Sequence, residues 1–384
     1  MKKLAATIFF ESVGLMLLGL ILVMSASSTY SEFKFDSVYH LFNSHLFKVI
    51  LGFVFMGIFC VIPYEIYKEY SKPVVIFIVF ILLLTLIIAP SYKGAGRWID
   101  LGFIAFQPAD AAKLILIIHL AALIESKRHL INDFKNGFIY LFFWVMIICG
   151  LILIQPNISN AVLLAFISIV LLYVGGAKFT HIVTSSAACF FAGGIGAMIF
   201  SHSRERILSF LNNLSSGGDL NIQVKQALLG LGSGGIFGVG IGHSRQSNLF
   251  LPEAYGDFIF AVMGEELGFI GAVFVITTYL VLFIAGVIIA KRTADRFGQL
   301  LAFGISFSII LYAFINAAVS TGLFPTTGLP LPFISYGGTS LIFLCISIGI
   351  LINIAISNSK EKRMDEVVLT SSYRVAMDSQ NERE

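Results

Sequence analysis

Ten apolar runs divide the chain, at about 10–26, 46–64, 73–90, 107–125, 137–155, 159–176, 181–201, 258–290, 298–320 and 338–357. Most match the roughly 17–25 residues a helix needs to cross a bilayer. Val74 to Ala89 contains no charge, and Ala161 to Val174 is as apolar. A membrane barrel strand would alternate apolar and polar positions over about 10 residues. These runs do not alternate, so the pattern predicts an all-α polytopic membrane protein with about ten transmembrane helices.

Two runs are unusual. Lys2, Lys3, an apolar stretch and Ser25-Ala26-Ser27 have the outline of a signal peptide, but a retained first span gives the flanking charges the right parity. The run at 258–290 would be about 50 Å long as one helix, against a hydrocarbon core of about 30 Å. It must tilt, break or begin outside the membrane, and Gly264-Glu265-Glu266-Leu267-Gly268 marks the expected break.

Of the 25 Lys and Arg, sixteen then fall on the inner side and eight outside, Lys48 among the eight, with Lys113 within a span. This two-to-one bias obeys the positive-inside rule. Both termini are expected in the cytoplasm, with a large external loop between spans seven and eight. Residues 1–357 read as one integral membrane domain and 358–384 as a polar cytoplasmic tail, expected to be disordered.

Composition narrows the class further. The chain of 384 residues is 57% apolar and only 12% charged, with a mean hydropathy of +0.91. This excludes a soluble enzyme, a disordered chain and a nucleic-acid-binding domain, since soluble domains carry about 25% charge. The net charge of +3 adds little. Cys60, Cys149, Cys189 and Cys345 lie in apolar runs without CxxC spacing, so no disulfide or metal framework is implied.

Candidate chemistry gathers in three external segments, about 91–106, 202–257 and 321–337, which share one side of the membrane. In the first, Lys93 and Arg97 could grip a phosphate, and Trp98 fits a sugar platform or, better, the interfacial aromatic belt. In the run that follows, Gln107-Pro108 opens a helix that sets Asp110 and Lys113 at i and i+3. They read as an intramembrane ion pair, serving either packing or substrate phosphate. The second segment holds seven glycines between Gly230 and Gly242, a composition that lets backbone amides approach an anion. Arg245, Gln246 and Glu253 follow as polar candidates. Asp257 stands at the mouth of an apolar run, either as a helix N-cap or as a base with a raised pKa. Of Glu265 and Glu266, at most one is expected to be functional, the other bonding backbone. No HExxH, Walker loop or Ser/His/Asp signature occurs.

These motifs resemble the SEDS family (shape, elongation, division and sporulation). Gln107-Pro-Ala-Asp-Ala-Ala-Lys113 is similar to the family's QPSExxK, with Asp110 in place of its glutamate. Gly232-Ser-Gly-Gly235, Ser244-Arg-Gln246, Leu251-Pro-Glu-Ala254, Asp257-Phe-Ile-Phe260 and Gly264-Glu-Glu-Leu-Gly268 match its large external loop in order. Gly322 to Gly338, containing Ser335, matches its C-terminal signature. The division branch is nearer than the elongation or sporulation branches through Leu251-Pro-Glu-Ala254 and Pro325-Thr326. Tyr255-Gly256 replaces His-Thr, Asn157 replaces the carboxylate of QPDxGT, and Thr327 stands where a lysine is often found.

The resemblance implies a peptidoglycan glycosyltransferase at the outer face of the bacterial cytoplasmic membrane. Such an enzyme polymerises lipid II at the septum beside a class B penicillin-binding protein transpeptidase and other divisome proteins. A lipid II flippase is the alternative from another class. The family's essential external aspartate maps onto Asp257. No dedicated cofactor or metal site is visible, and a divalent cation, Mg or Mn, is the one helper the chemistry admits.

Overall fold

The computed structural model describes residues 1–88, 96–100, 102, 105–216, 221–248 and 250–359, except the side chains of 201–203 and 213–216. The polar tail from 360 onward and Lys93 lie outside the described residues. Among the described residues thirteen α-helices are formed: α1 (Lys2–Phe35), α2 (His40–Val61), α3 (Glu65–Glu69), α4 (Ser71–Ile88), α5 (Pro108–Ser126), α6 (Ile139–Ile154), α7 (Ile158–Val174), α8 (Phe179–Ile199), α9 (Ser201–Ser216), α10 (Ile222–Gly234), α11 (Ile259–Arg292), α12 (Arg296–Ser320) and α13 (Ser340–Ser359). A π-helical turn, Phe134–Phe138, leads into α6. A two-strand antiparallel hairpin pairs β1 (Ile99–Asp100) with β2 (Ala105–Phe106).

Eight helices among the described residues are long and apolar enough to cross a membrane. The other two expected runs are α7, of 17 residues, and α5, of 19 residues, which carries Asp110, Lys113 and Glu125. All ten runs are therefore helical. Segment 202–257, expected as a loop, holds most of α9 and all of α10. Lys48, expected outside, lies within α2 and is buried, because α2 starts at His40, earlier than hydropathy alone suggested.

The first helix is part of the core. Gly19 abuts the backbone of Phe333 and Ile334, and the hydroxyl of Ser25 donates to the Glu266 carboxylate. Ser12, Ser27 and Ser31 are fully buried. A helix so integrated matches the retained span.

The expected break in α11 falls at Gly268, whose φ of 70° and ψ of −170° are non-helical. In an unbroken helix the amides of Phe269 and Ile270 would donate to the carbonyls of Glu265 and Glu266. Here Phe269 and Ile270 donate to the Gly235 and Ile236 carbonyls at 2.9 and 3.2 Å, while Val239 and Gly240 donate to the Glu265 and Glu266 carbonyls at 3.0 Å each. The turn after α10 thus satisfies the four groups the break releases, which matters because an unpaired backbone group in a membrane costs several kcal/mol. Only glycine permits the approach: a Cβ on Gly238 would stand 2.1 Å from the Glu266 carbonyl oxygen, and one on Gly268 2.3 Å from the Gly238 nitrogen.

Candidate active site

The segment between α12 and α13 joins the external elements. The Ser335 hydroxyl donates to the Gly256 carbonyl at 2.7 Å and accepts from the Leu331 amide at 2.7 Å. The Tyr336 amide donates to the Tyr255 carbonyl at 2.9 Å. The Asn316 side-chain amide, from α12, donates to the Asp257 carbonyl at 2.8 Å and to the Leu329 carbonyl at 2.7 Å. These bonds clamp both sides of Asp257 and fix its backbone.

The Asp257 side chain does not cap α11. Phe258 is the N-cap residue and the cap has no side-chain bond. The carboxylate lies within electrostatic reach of Arg97 and Arg206, which both attract it, although neither guanidinium is in direct ion-pair contact with it among the described residues. Burial, reinforced by the negative charge of Glu253, lifts the Asp257 pKa to about 6 against the opposing pull of Arg206 and Arg97. Burial also lowers the pKa of both arginines, and Asp257 partly restores it, yet an arginine stays cationic at any physiological pH.

Arg206 comes from α9 and donates to the Thr326 carbonyl at 3.4 Å. Its approach was missed in the sequence, where it counted only as one external cation. The legible signal was an amphipathic helix within the supposed loop. Gly328 and Asn316 were missed as well, and a lone amide in an apolar span was the cue for Asn316.

The other candidates divide. Glu253 adopts a φ of 57° and adds its charge beside Asp257. Trp98 lies over Gly338, where a Cβ would come 2.8 Å from the indole, so its ring is held against protein. Among the described residues the exposed Arg245 and half-buried Gln246 make no contact with Asp257. Their backbone amides donate to Glu265 at 3.1 and 3.3 Å.

Glu265 also accepts from the hydroxyls of Ser233 at 3.2 Å and Ser244 at 2.5 Å. Glu266 accepts from the Gly242 amide at 3.0 Å. The glycine-rich turn does meet anions through its amides, but they are the chain's own carboxylates. Both glutamates anchor this turn and the segment after it, so backbone bonding, expected of one of them, is the role of both.

Asp110 and Lys113 are not a contact pair. Thr339 donates to Asp110 at 3.2 Å and receives the Gln107 amide at 3.1 Å. The Lys113 ammonium lies 4.2 Å from the centroid of Tyr312, whose hydroxyl donates to Asn160 at 2.8 Å. Across the gap the two charges still attract. An ammonium over an aromatic face gains a cation–π attraction that competes with a carboxylate one turn away. No three His, Cys, Asp or Glu side chains converge on a metal position among the described residues.

Fold and site together define a polytopic membrane protein with a half-buried external carboxylate in the field of two arginines. The FtsW/RodA/SpoVE family model, described as a cell cycle protein, matches residues 6–360, and the chain belongs to that family. A relative in Geobacter sp. (strain M18), named "Probable peptidoglycan glycosyltransferase FtsW", is 36% identical over 341 residues, covering 88% of this chain and 92% of its own. Stage V sporulation protein E of Bacillus subtilis is 34% identical over 359 residues, covering 92% and 98%. Among solved structures, a chain from a peptidoglycan synthase complex aligns with a TM-score of 0.73 at 22% identity, covering 91% of this chain and 97% of that one. The rod shape determining protein RodA of Thermus thermophilus aligns at 0.67 and 23% identity, covering 91% and 96%. These two share the fold.

Proposed function

We propose that the protein is a peptidoglycan glycosyltransferase that polymerises lipid II at the outer face of the cytoplasmic membrane, at the division septum. The observation that carries this reading is Asp257, a carboxylate whose pKa near 6 suits a general base at neutral pH. The acceptor's sugar 4-hydroxyl gives its proton to Asp257, and its oxygen forms the bond to the anomeric carbon of the donor. The bond from that carbon to the diphosphate oxygen breaks, and undecaprenyl diphosphate leaves with the electron pair. In this reading Arg97 and Arg206, both within electrostatic reach of Asp257, stabilise the charge that develops on the leaving diphosphate. A divalent cation, Mg or Mn, would share that charge if bound with the diphosphate; among the described residues no cluster of His, Cys, Asp or Glu gathers to hold it. Cross-links come from a separate class B penicillin-binding protein, with other divisome proteins as further partners.

Purified protein supplied with lipid II in detergent tests the reading. No membrane sidedness exists there, so transport leaves no product, while a polymerase yields glycan strands. Absence of strands both with and without the transpeptidase would overturn it.

A further inference from the structure

α2 carries a buried cation that the mechanism above does not use. Lys48 is 6% exposed and lies eight residues, about 12 Å of helix, from the start of α2. Among the described residues no carboxylate contacts it. Its ammonium is 4.0 Å from the centroid of the Tyr336 ring. One turn earlier, His45 is 0% exposed, and both of its ring nitrogens lack a hydrogen-bond partner. Its ring meets Tyr336 at 5.8 Å.

A charge buried in a membrane protein without a counter-charge is costly, and such residues mark ligand paths. A cation–π contact offsets only part of that cost. The cluster also belongs to the candidate site by direct contact. Tyr336 is bonded by backbone to Tyr255, two residues before Asp257, and the two rings lie 5.7 Å apart. The Ser44 and Tyr336 hydroxyls are 3.1 Å apart, which fixes the ring under the ammonium. Lys48 is therefore a preorganised positive charge at membrane depth, directly behind the segment that presents Asp257.

We propose that Lys48, with His45 beside it, binds the diphosphate of a polyprenyl-linked substrate behind the segment that presents Asp257. The assignment rests on the glycosyltransferase reading for the identity of the substrate, but its chemistry requires only a lipid diphosphate. An ammonium on a flexible stem can leave the ring and meet a phosphate while keeping its stem packed.

The test is equilibrium binding of radiolabelled farnesyl diphosphate to the purified full chain in detergent. Lys48→Met should weaken binding by about tenfold or more, the usual scale for one charge-assisted contact, whereas Lys48→Arg should stay within about threefold. Excess unlabelled farnesol should fail to displace the probe. The binding assay needs no turnover, so a failed polymerisation assay and a failed binding assay are separate results. Unchanged binding by Lys48→Met, or displacement by farnesol, overturns the proposal. Should Lys48→Met not fold, the wild type decides: a site open to a diphosphate is open to formaldehyde. Reductive methylation of Lys48, counted by peptide mass spectrometry, should fall when farnesyl diphosphate is bound, and equal labelling with and without probe overturns the proposal.

Discussion

Gly328 presents a bare α-carbon to Asp257: a methyl built on it would stand 3.4 Å from Oδ2 of the aspartate and 3.6 Å from Nη1 of Arg206. Both charged groups thus converge on the space beside one glycine, whose φ of 71° disfavours any side chain. Gly328→Ala should cost about 1 kcal/mol of stability through backbone strain. It should lower polymerisation more than that loss explains, because the methyl fills the space beside the base. Initial rates measured alongside thermal unfolding check this, and a rate equal to wild type would separate Gly328 from the site.

Asp257→Asn keeps the shape and removes the base. Glycan synthesis should fall by a factor on the order of 10² or more, with insertion and partner binding retained. Stability should move the other way. The folded pKa of about 6 lies above the unfolded one, so ionised Asp257 destabilises the fold at neutral and higher pH. The Asn variant should therefore be the more stable at pH 8, by up to about 3 kcal/mol. That advantage should fade as pH falls from about 6 toward the unfolded carboxylate value. Melting curves across this window test the sign. The rate of the wild-type enzyme should drop below pH 6 as the base is protonated.

Arg206 separates charge from geometry. Arg206→Gln should reduce kcat by tenfold or more if the guanidinium faces the leaving diphosphate, since one well-placed donor supplies roughly that much or more. Arg206→Lys should recover only part, because a point charge does not reproduce the guanidinium fork. Equal rates for all three proteins would limit Arg206 to holding the Thr326 carbonyl.

In the membrane, Asp110→Asn discriminates between two arrangements. Breaking a buried contact ion pair costs about 3–5 kcal/mol. The structure instead gives Asp110 the Thr339 hydroxyl and Lys113 the Tyr312 ring. Asn can still accept from Thr339, so the expected loss is about 1 kcal/mol. Tyr312→Phe should keep the Lys113 contact and lose one hydrogen bond, again about 1 kcal/mol. Chemical denaturation in detergent measures both.

Gly238→Ala should be far more damaging than its exposure suggests. The added Cβ would collide with the Glu266 carbonyl and expel the turn that repairs the break in α11. Loss of folded protein on size-exclusion chromatography is expected, against normal recovery for Gly232→Ala, where nothing lies within 4 Å.

Much of the fold was legible because membrane spans are set by length and apolarity, two quantities a sequence displays directly. The break in α11 was legible for a related reason: its run is too long for one crossing, and its charged, glycine-flanked residues cannot continue a lipid-facing helix. Asp257 drew notice as a carboxylate at the mouth of an apolar run, but those residues left it a cap or a base, and only the resemblance favoured the base. Partnerships across the fold were not legible. Arg206 reaches Asp257 from more than fifty positions away, and Lys113 turns to Tyr312 on another helix instead of its neighbour Asp110. The glycine-rich segment misled because its composition signals amides that approach an anion, and nothing local says that the anions are Glu265 and Glu266.

The discontinuity at Gly268 has a mechanical consequence. Below it, residues 269–292 form about 36 Å of helix, which alone suffices to traverse a bilayer. Above it, residues 259–267 are held by the turn and by Ser25 rather than by continuation of the same rod. Lipid thickness acts on the lower piece, which can tilt to match it at small cost. The upper piece, which begins two residues after Asp257, is insulated from that tilt, so the carboxylate keeps its height and bearing as the surrounding lipid thickens or thins.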